Sequence, residues 1–131
     1  MVDTSALIAI YFAEPDAFVF EQALFASKQA LIAAPTALEF VMVAQGNVLR
    51  GARPESEPDA VLTRPGLRVE PWTEHHLAIA RAAFTRFGKG QGRPAQLNFG
   101  DCMSYALAKS LGAPLLYKGD DFARTDIRSA L

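Results

Sequence analysis

An α/β fold, with a mostly parallel sheet covered by helices, is what this sequence predicts, and two observations predict it. Short apolar runs of strand length, at residues 1–3, 29–34, 67–71 and 113–117, alternate with segments whose apolar residues recur at helical spacing. The chain has 131 residues, 50% of them hydrophobic, enough to bury one core and too few for two comfortable domains, so a single domain over residues 1–131 is expected. Strands separated by helices imply right-handed crossovers between parallel neighbours.

The elements follow in order. Residues 1–3 read as the visible end of a first strand, and Thr4 or Ser5 can cap a helix through Phe12 that Glu14-Pro15 breaks. Residues 16–27 place Phe18, Val19, Ala23 and Leu24 at helical spacing. Residues 29–34 form a short strand closed by Pro35. From Thr36 a helix runs to about Gly51, and Thr36 with Glu39 three residues on has the capping-box pattern. Residues 52–66 read as a polar connection holding one short helix. Residues 67–71 alternate like a strand, and Thr73 caps a helix to about Phe87. The Gly-rich GKGQGRPAQLN has no apolar period and is expected to be a mobile loop. It also lacks the Lys-Ser/Thr ending of a nucleotide-binding loop. Asn98 can cap a helix to Leu111 that Gly112 stops, residues 113–117 form the last strand, and GDDF turns away from its end.

Composition narrows the function classes. The single Cys102 excludes an internal disulfide, no Cys/His cluster has zinc-ligand spacing, and a reducing cytoplasm fits best. The longest apolar stretch, residues 30–44, is interrupted by Pro35, Thr36 and Glu39 and falls short of the roughly 20 residues of a membrane span. Asp3 stands where a signal peptide would carry basic residues, so no export and no membrane are expected. A net charge of −1 argues against a general nucleic-acid coat protein. Between Glu74 and Asp101, however, there is no acid, while Arg81, Arg86, Lys89 and Arg93 fall there. That stretch is either solvated surface or a phosphate-contacting region, for which Arg86, Lys89 and Arg93 are the candidates.

The acids are placed more tellingly. Asp3 ends the first expected strand, Asp120 and Asp121 follow the last, and Glu39 and Asp101 sit in the first turns of expected helices. In an open α/β sheet, strand C-termini and helix N-termini share one edge, where ligand sites form. Singly, each acid has a structural reading as cap, first-turn acid or turn residue. Together, carboxylates a few Å apart raise one another's pKa unless a cation lies between them. A hard ion such as Mg²⁺ takes carboxylate and water oxygens and supports metal-assisted phosphodiester cleavage.

The segments VDTSALIAI, PTALEF and LNFGDCMSYALAKSLGAPLLYKGDDFARTDI, in this order and spacing, closely resemble VapC-type PIN-domain toxins over nearly the whole chain, most weakly over residues 50–93. That resemblance implies a three-layer α/β/α sandwich cleaving RNA with Mg²⁺ or Mn²⁺. It implies Asp3 and Asp101 as principal metal ligands, Glu39 as an aid to metal and water, and one of Asp120 and Asp121 as the fourth acid, Asp121 being preferred. Thr4 or Ser5 supplies a neighbouring hydroxyl, and Asn98 is a further polar neighbour. It also implies a small VapB-type antitoxin encoded beside it and homodimer formation. The stretch ALIAIYFA is apolar on every face, so either it is internal or some of Ile8, Ile10, Tyr11 and Phe12 meets a partner. The alternatives are a non-catalytic binding module with the same fold and a haloacid-dehalogenase-like phosphatase, whose second Asp is replaced here by Ser5.

Overall fold

Residues 1–3 organise the architecture, because they lie extended between two segments distant in sequence. In a computed structural model of the chain, which describes residues 1–54 and 56–131, the Val2 amide donates to the Leu31 carbonyl at 2.9 Å. The Asp3 amide donates to the Leu116 carbonyl (2.9 Å), and the Leu116 amide donates back to the Met1 carbonyl (2.8 Å). Beside them β1 (Ala30–Ala33) pairs in parallel with β2 (Leu67–Glu70), in the register Ala30 to Leu67 through Ala33 to Glu70. Single parallel bridges, Val2 to Leu116 and Leu115 to Ser129, carry the sheet to its far side. The order across it is thus β2, β1, residues 1–3, residues 115–116, residue 129.

Two of the four expected strands are therefore reduced to bridges, since only two or three residues of each find a ladder partner. The pairing at residue 129 was not expected at all. Its sequence, RSAL, carries no alternation, and its place rests on backbone bonds, Leu115 N–H to the Arg128 carbonyl (2.9 Å) and Ala130 N–H to the Leu115 carbonyl (3.0 Å).

Helices α1 (Thr4–Tyr11), α2 (Ala17–Ala26), α3 (Ala34–Leu49), α4 (Pro58–Leu62), α5 (Glu74–Phe87) and α6 (Phe99–Ser110) follow the expected order. Because successive side chains of an extended chain point to opposite faces, Val2, Ile32 and Leu116 join a core with Leu7, Phe20, Phe40 and Ala44 from α1, α2 and α3. Met1 and Leu115 join the other, with Ala80, Ala83, Cys102, Tyr105 and Phe122. Helices thus cover both faces, and the expected α/β/α sandwich is found. The expected polar connection from 52 to 66 includes residue 55, which lies outside the described residues; α4 is the short helix foreseen in it. The loop after α5 is tied at both ends, Lys89 N–H to the Leu97 carbonyl and Leu97 N–H to the Phe87 carbonyl, each 2.9 Å. Among the described residues no helix is long and apolar enough to cross a membrane.

Helix α1 is apolar on every side because it is largely internal. Ala6, Leu7 and Ala9 are fully buried, and Ile8 and Phe12 pack half-buried against the same core. Of the residues named for either an internal place or a partner contact, Tyr11 takes the internal one: it is buried, its ring stands edge-on to Phe12 and Phe40 at centroid distances of 4.9 and 5.6 Å, and its hydroxyl donates to the Ser56 carbonyl at 2.6 Å. Phe40 has no exposed surface, whereas Leu49 on the same helix is 89% exposed. Urea denaturation should therefore show a loss of about 3–5 kcal/mol for Phe40→Ala and less than about 0.5 kcal/mol for Leu49→Ala. Equal losses would contradict this placement of α3.

Candidate active site

Asp3 stands where the extended N-terminal residues become α1, and its carboxylate is held on both oxygens. Oδ2 accepts from the Ser5 amide (2.9 Å) and the Ser5 hydroxyl (2.5 Å); Oδ1 accepts from the Ser104 hydroxyl (2.5 Å). The N-cap of α1 is consequently Asp3, correcting the assignment of that role to Thr4 or Ser5, which are the first two helical residues. Ser5 Oγ also accepts from the Lys118 amide at 3.0 Å, tying α1 to the chain beyond Leu116. The Lys118 ammonium is itself held by Glu14 (2.5 Å) and Asp16 (2.7 Å).

Glu39 enters by a different route from the one its spacing suggested. Pro35 is tolerated in the first turn of a helix, where an amide hydrogen is not needed. Helix α3 accordingly starts at Ala34, ahead of Thr36, with no side-chain cap. The expected Thr36–Glu39 capping box is not made, and Glu39 falls in the second turn. Its Oε2 accepts instead from Thr4 Oγ1 at 2.5 Å. The carboxyl also lies over Gly100 so closely that a Cβ there would collide with it. Burial first, and then the charge of Asp3, raises the Glu39 carboxyl above its ordinary value, against the lowering effect of the Thr4 hydrogen bond.

Asp101 does form the structure its spacing predicts. Asn98 Oδ1 accepts from the Asp101 amide (2.9 Å), and Asp101 Oδ2 accepts from the Asn98 amide (2.7 Å), a reciprocal cap at the start of α6. The same carboxyl is buried, with 8% exposure. Burial pushes its pKa up to about 7, opposed by the Asn98 amide and reinforced by the charges of Asp3, Asp121 and Glu39. Asp121 is thus the member of the closing pair whose charge acts on Asp101, and Asp120 is not among those charges. Both are exposed, in a turn anchored by the buried Phe122.

Four acids from distant parts of the chain are in this way electrostatically coupled. Among the described residues, however, no three His, Cys, Asp or Glu side chains form a ready-made metal cage. Both oxygens of Asp3, Oε2 of Glu39 and Oδ2 of Asp101 are already engaged by a hydroxyl or an amide. The donor set is carboxylate and hydroxyl oxygen, which suits a hard cation. Cys102, the neighbour of Asp101, is a neutral buried thiol whose pKa burial, and then the Asp101 charge, raise to about 11.

Sequence reasoning missed Ser104 and Thr36, whose hydroxyls lie 3.2 Å apart behind Asp3. Lone hydroxyl residues on helices carry no spacing signal that would reveal them. The basic residues are less uniform than their run in the sequence suggested. Arg86 is shared with Asp126 (3.5 Å) and lies over the Phe87 ring, while Lys89 and Arg93 are exposed in the loop leading to α6. A groove of about 800 Å³ between Tyr11, Val48, Leu49 and Pro58 is lined by none of these acids.

A family model described as PIN domain matches residues 1–128. Ribonuclease VapC42 of Mycobacterium tuberculosis is 42% identical over 132 residues, covering 99% of this chain and 98% of that protein. Ribonuclease VapC28 of the same species is 42% identical over 131 residues, covering 100% and 97%. Among solved structures, M. tuberculosis VapC20, described as a Sarcin-Ricin loop cleaving toxin, shares the fold with a TM-score of 0.71 at 17% identity, covering 97% of each chain. On a match that runs almost from end to end, the chain belongs to the PIN domain family, alongside its VapC ribonucleases.

Proposed function

We propose that this protein is a divalent-metal-dependent endoribonuclease, the toxin of a type II toxin–antitoxin pair, acting through Asp3, Glu39, Asp101 and Asp121. The observation that carries the reading is the Asp101 carboxyl, held buried where the charges of Asp3, Asp121 and Glu39 act on it, a cost that a bound cation would offset. The printed names of VapC42 and VapC28 as ribonucleases support the substrate class.

Asp3 and Asp101 would hold Mg²⁺ or Mn²⁺, with Asp121 as a further carboxylate whose charge acts on Asp101, an oxygen donor set suited to Mg²⁺. Bound there, the ion supplies charge neutralisation, polarisation of a phosphate oxygen and a more acidic water. Glu39, anchored by Thr4 and with a carboxyl that burial raises above its ordinary value, is suited to take the proton from the attacking water. Hydrolysis then adds the elements of water across one P–O bond. Lys89 and Arg93, with Arg86 less freely, attract the RNA backbone by charge. The partners that accompany this activity are a VapB-type antitoxin and a second copy of the chain, in the cytoplasm. Leu38, Met42 and Leu49, exposed at helical spacing along α3, offer apolar surface for such contacts.

A structured RNA incubated with the protein should be cut in Mg²⁺ or Mn²⁺ and left intact in EDTA. Asp3→Asn and Asp101→Asn should each lower the rate more than about 100-fold, beyond the effect of outer-shell changes. Cleavage that persists in EDTA, or in either variant, would remove this reading. Gly100→Ala should fold, because the group it displaces is the far end of a side chain, the Glu39 carboxyl, yet by breaking that carboxyl's anchorage on Thr4 it should lose at least about 10-fold in kcat; unchanged kcat would exclude Glu39 from the chemistry.

The acid cluster also sets a pH dependence of stability. Asp101 titrates at about 7 when folded and near 4 when unfolded. Its folded value is the raised one, so its contribution is fully present below about pH 4 and is lost as pH rises through about 7. Without metal, the melting temperature should fall between pH 5 and pH 8. Asp101→Asn, which keeps an oxygen for the Asn98 amide, should flatten that fall and be more stable at pH 8 by on the order of 2–4 kcal/mol. A wild-type slope retained in the variant would refute the assignment.

A further inference from the structure

Two buried hydroxyls behind Asp3 have no part in the chemistry proposed above. Ser104 on α6 is 3% exposed and Thr36 on α3 is 1% exposed. A serine hydroxyl has one proton to give, and that of Ser104 goes to Asp3 Oδ1 at 2.5 Å. In its 3.2 Å contact with Thr36 Oγ1 it is therefore the acceptor, and Thr36 donates. The hydrogen bonds run one way, from Thr36 to Ser104 to Asp3. A second chain reaches the other oxygen, from the Lys118 amide to Ser5 Oγ to Asp3 Oδ2.

The two chains differ in what they fix. Rotation of a carboxylate about its Cβ–Cγ bond is broad, with no sharply staggered wells. Ser5 belongs to the turn that Asp3 itself caps, so its bonds to Oδ2 fix the carboxylate only relative to its own helix start. The donor on Oδ1 comes from a separate, buried helix and holds the carboxylate plane in register with α6. Ser104 stands among the buried Cys102, Ala106 and Ala108 of α6, and its hydroxyl is the group that reaches Asp3 and Thr36.

We propose that Ser104, backed by Thr36, is a positioning residue that sets the plane of the Asp3 carboxylate, so that a constant pair of lone pairs faces the divalent cation. The inference rests on the metal-dependent reading above and deepens it. Outer-shell partners that orient a metal-binding carboxylate typically change metal affinity or activity by about 10–100-fold.

The test compares full-length wild type, Ser104→Ala, Thr36→Val and Thr36→Ser. Mn²⁺ binding is measured by isothermal titration without RNA, alongside metal-free melting temperature and steady-state RNA cleavage. Ser104→Ala should bind Mn²⁺ about 10-fold or more weakly and lose kcat similarly, with KM for RNA within about twofold and the metal-free protein still unfolding cooperatively. Thr36→Val should show a smaller loss in the same direction, and Thr36→Ser should behave as wild type. Unchanged Mn²⁺ affinity and kcat in Ser104→Ala, with wild type binding Mn²⁺, would overturn the positioning role alone. A wild type that neither binds Mn²⁺ nor cuts RNA would overturn both readings. Should Ser104→Ala fail to fold, Thr36→Val decides, wild-type Mn²⁺ affinity there being the refuting result.

Discussion

Keeping like charges close together in a half-dry place is the constraint on which the rest of this structure depends. Asp3, Glu39 and Asp101 are each partly or wholly withdrawn from water, and each acts electrostatically on another. Left alone, such a group would separate or protonate. It is held by donors from several elements: Ser5 and Ser104 on Asp3, Thr4 on Glu39, the Asn98 amide on Asp101. These donors come from the starts of α1 and α6 and from the body of α6, while α3 supplies Glu39. The sheet matters here mainly because the pairing of residues 1–3 beside β1 and Leu116 brings those helices to one edge.

The division of labour within single residues follows from that constraint. Asp101 both caps α6 and contributes to the cluster, and Asp3 both caps α1 and accepts from α6. Helix starts suit carboxylates because their free amides and dipole favour negative charge. The fold thus recruits local helix energetics to oppose a longer-range repulsion. On the opposite side, Asp126 gathers Tyr105 (2.6 Å), Lys109 (2.9 Å) and Arg86 (3.5 Å), which locks the C-terminal segment to α5 and α6. That pairing also explains why a basic run in the sequence does not translate into a uniformly free basic surface.

Much of the fold was legible because its signals are local. Asn98 followed by Asp101, or Gly112 closing α6 with φ +59°, announce themselves within a few residues. Where the reading failed, a local pattern competed with a neighbour. Thr36 and Glu39 have capping-box spacing, but Pro35 accepts the first turn and moves the helix start to Ala34. The bridge at Ser129 had no pattern to read, since it depends on backbone bonds to Leu115. The acids of the candidate site were legible from the segments that carry them, VDTSALIAI, PTALEF, LNFGDC and KGDDF, and not from position alone, since Asp16, Glu57, Asp59, Glu70 and Glu74 also stand at helix starts or strand ends. Ser104 and Thr36 were not, because a serine or threonine on a helix becomes meaningful only once its hydroxyl is seen to point at Asp3.

The partners of the first few residues have a consequence for biosynthesis. Asp3 and its flanking backbone depend on Ser104, Leu116 and Lys118, more than a hundred positions downstream. Contacts of such long sequence separation form late, after the intervening chain has closed its loops. A nascent chain emerging from the ribosome therefore carries its first acid without the residues that orient it. The acid cluster can assemble only when translation is nearly finished.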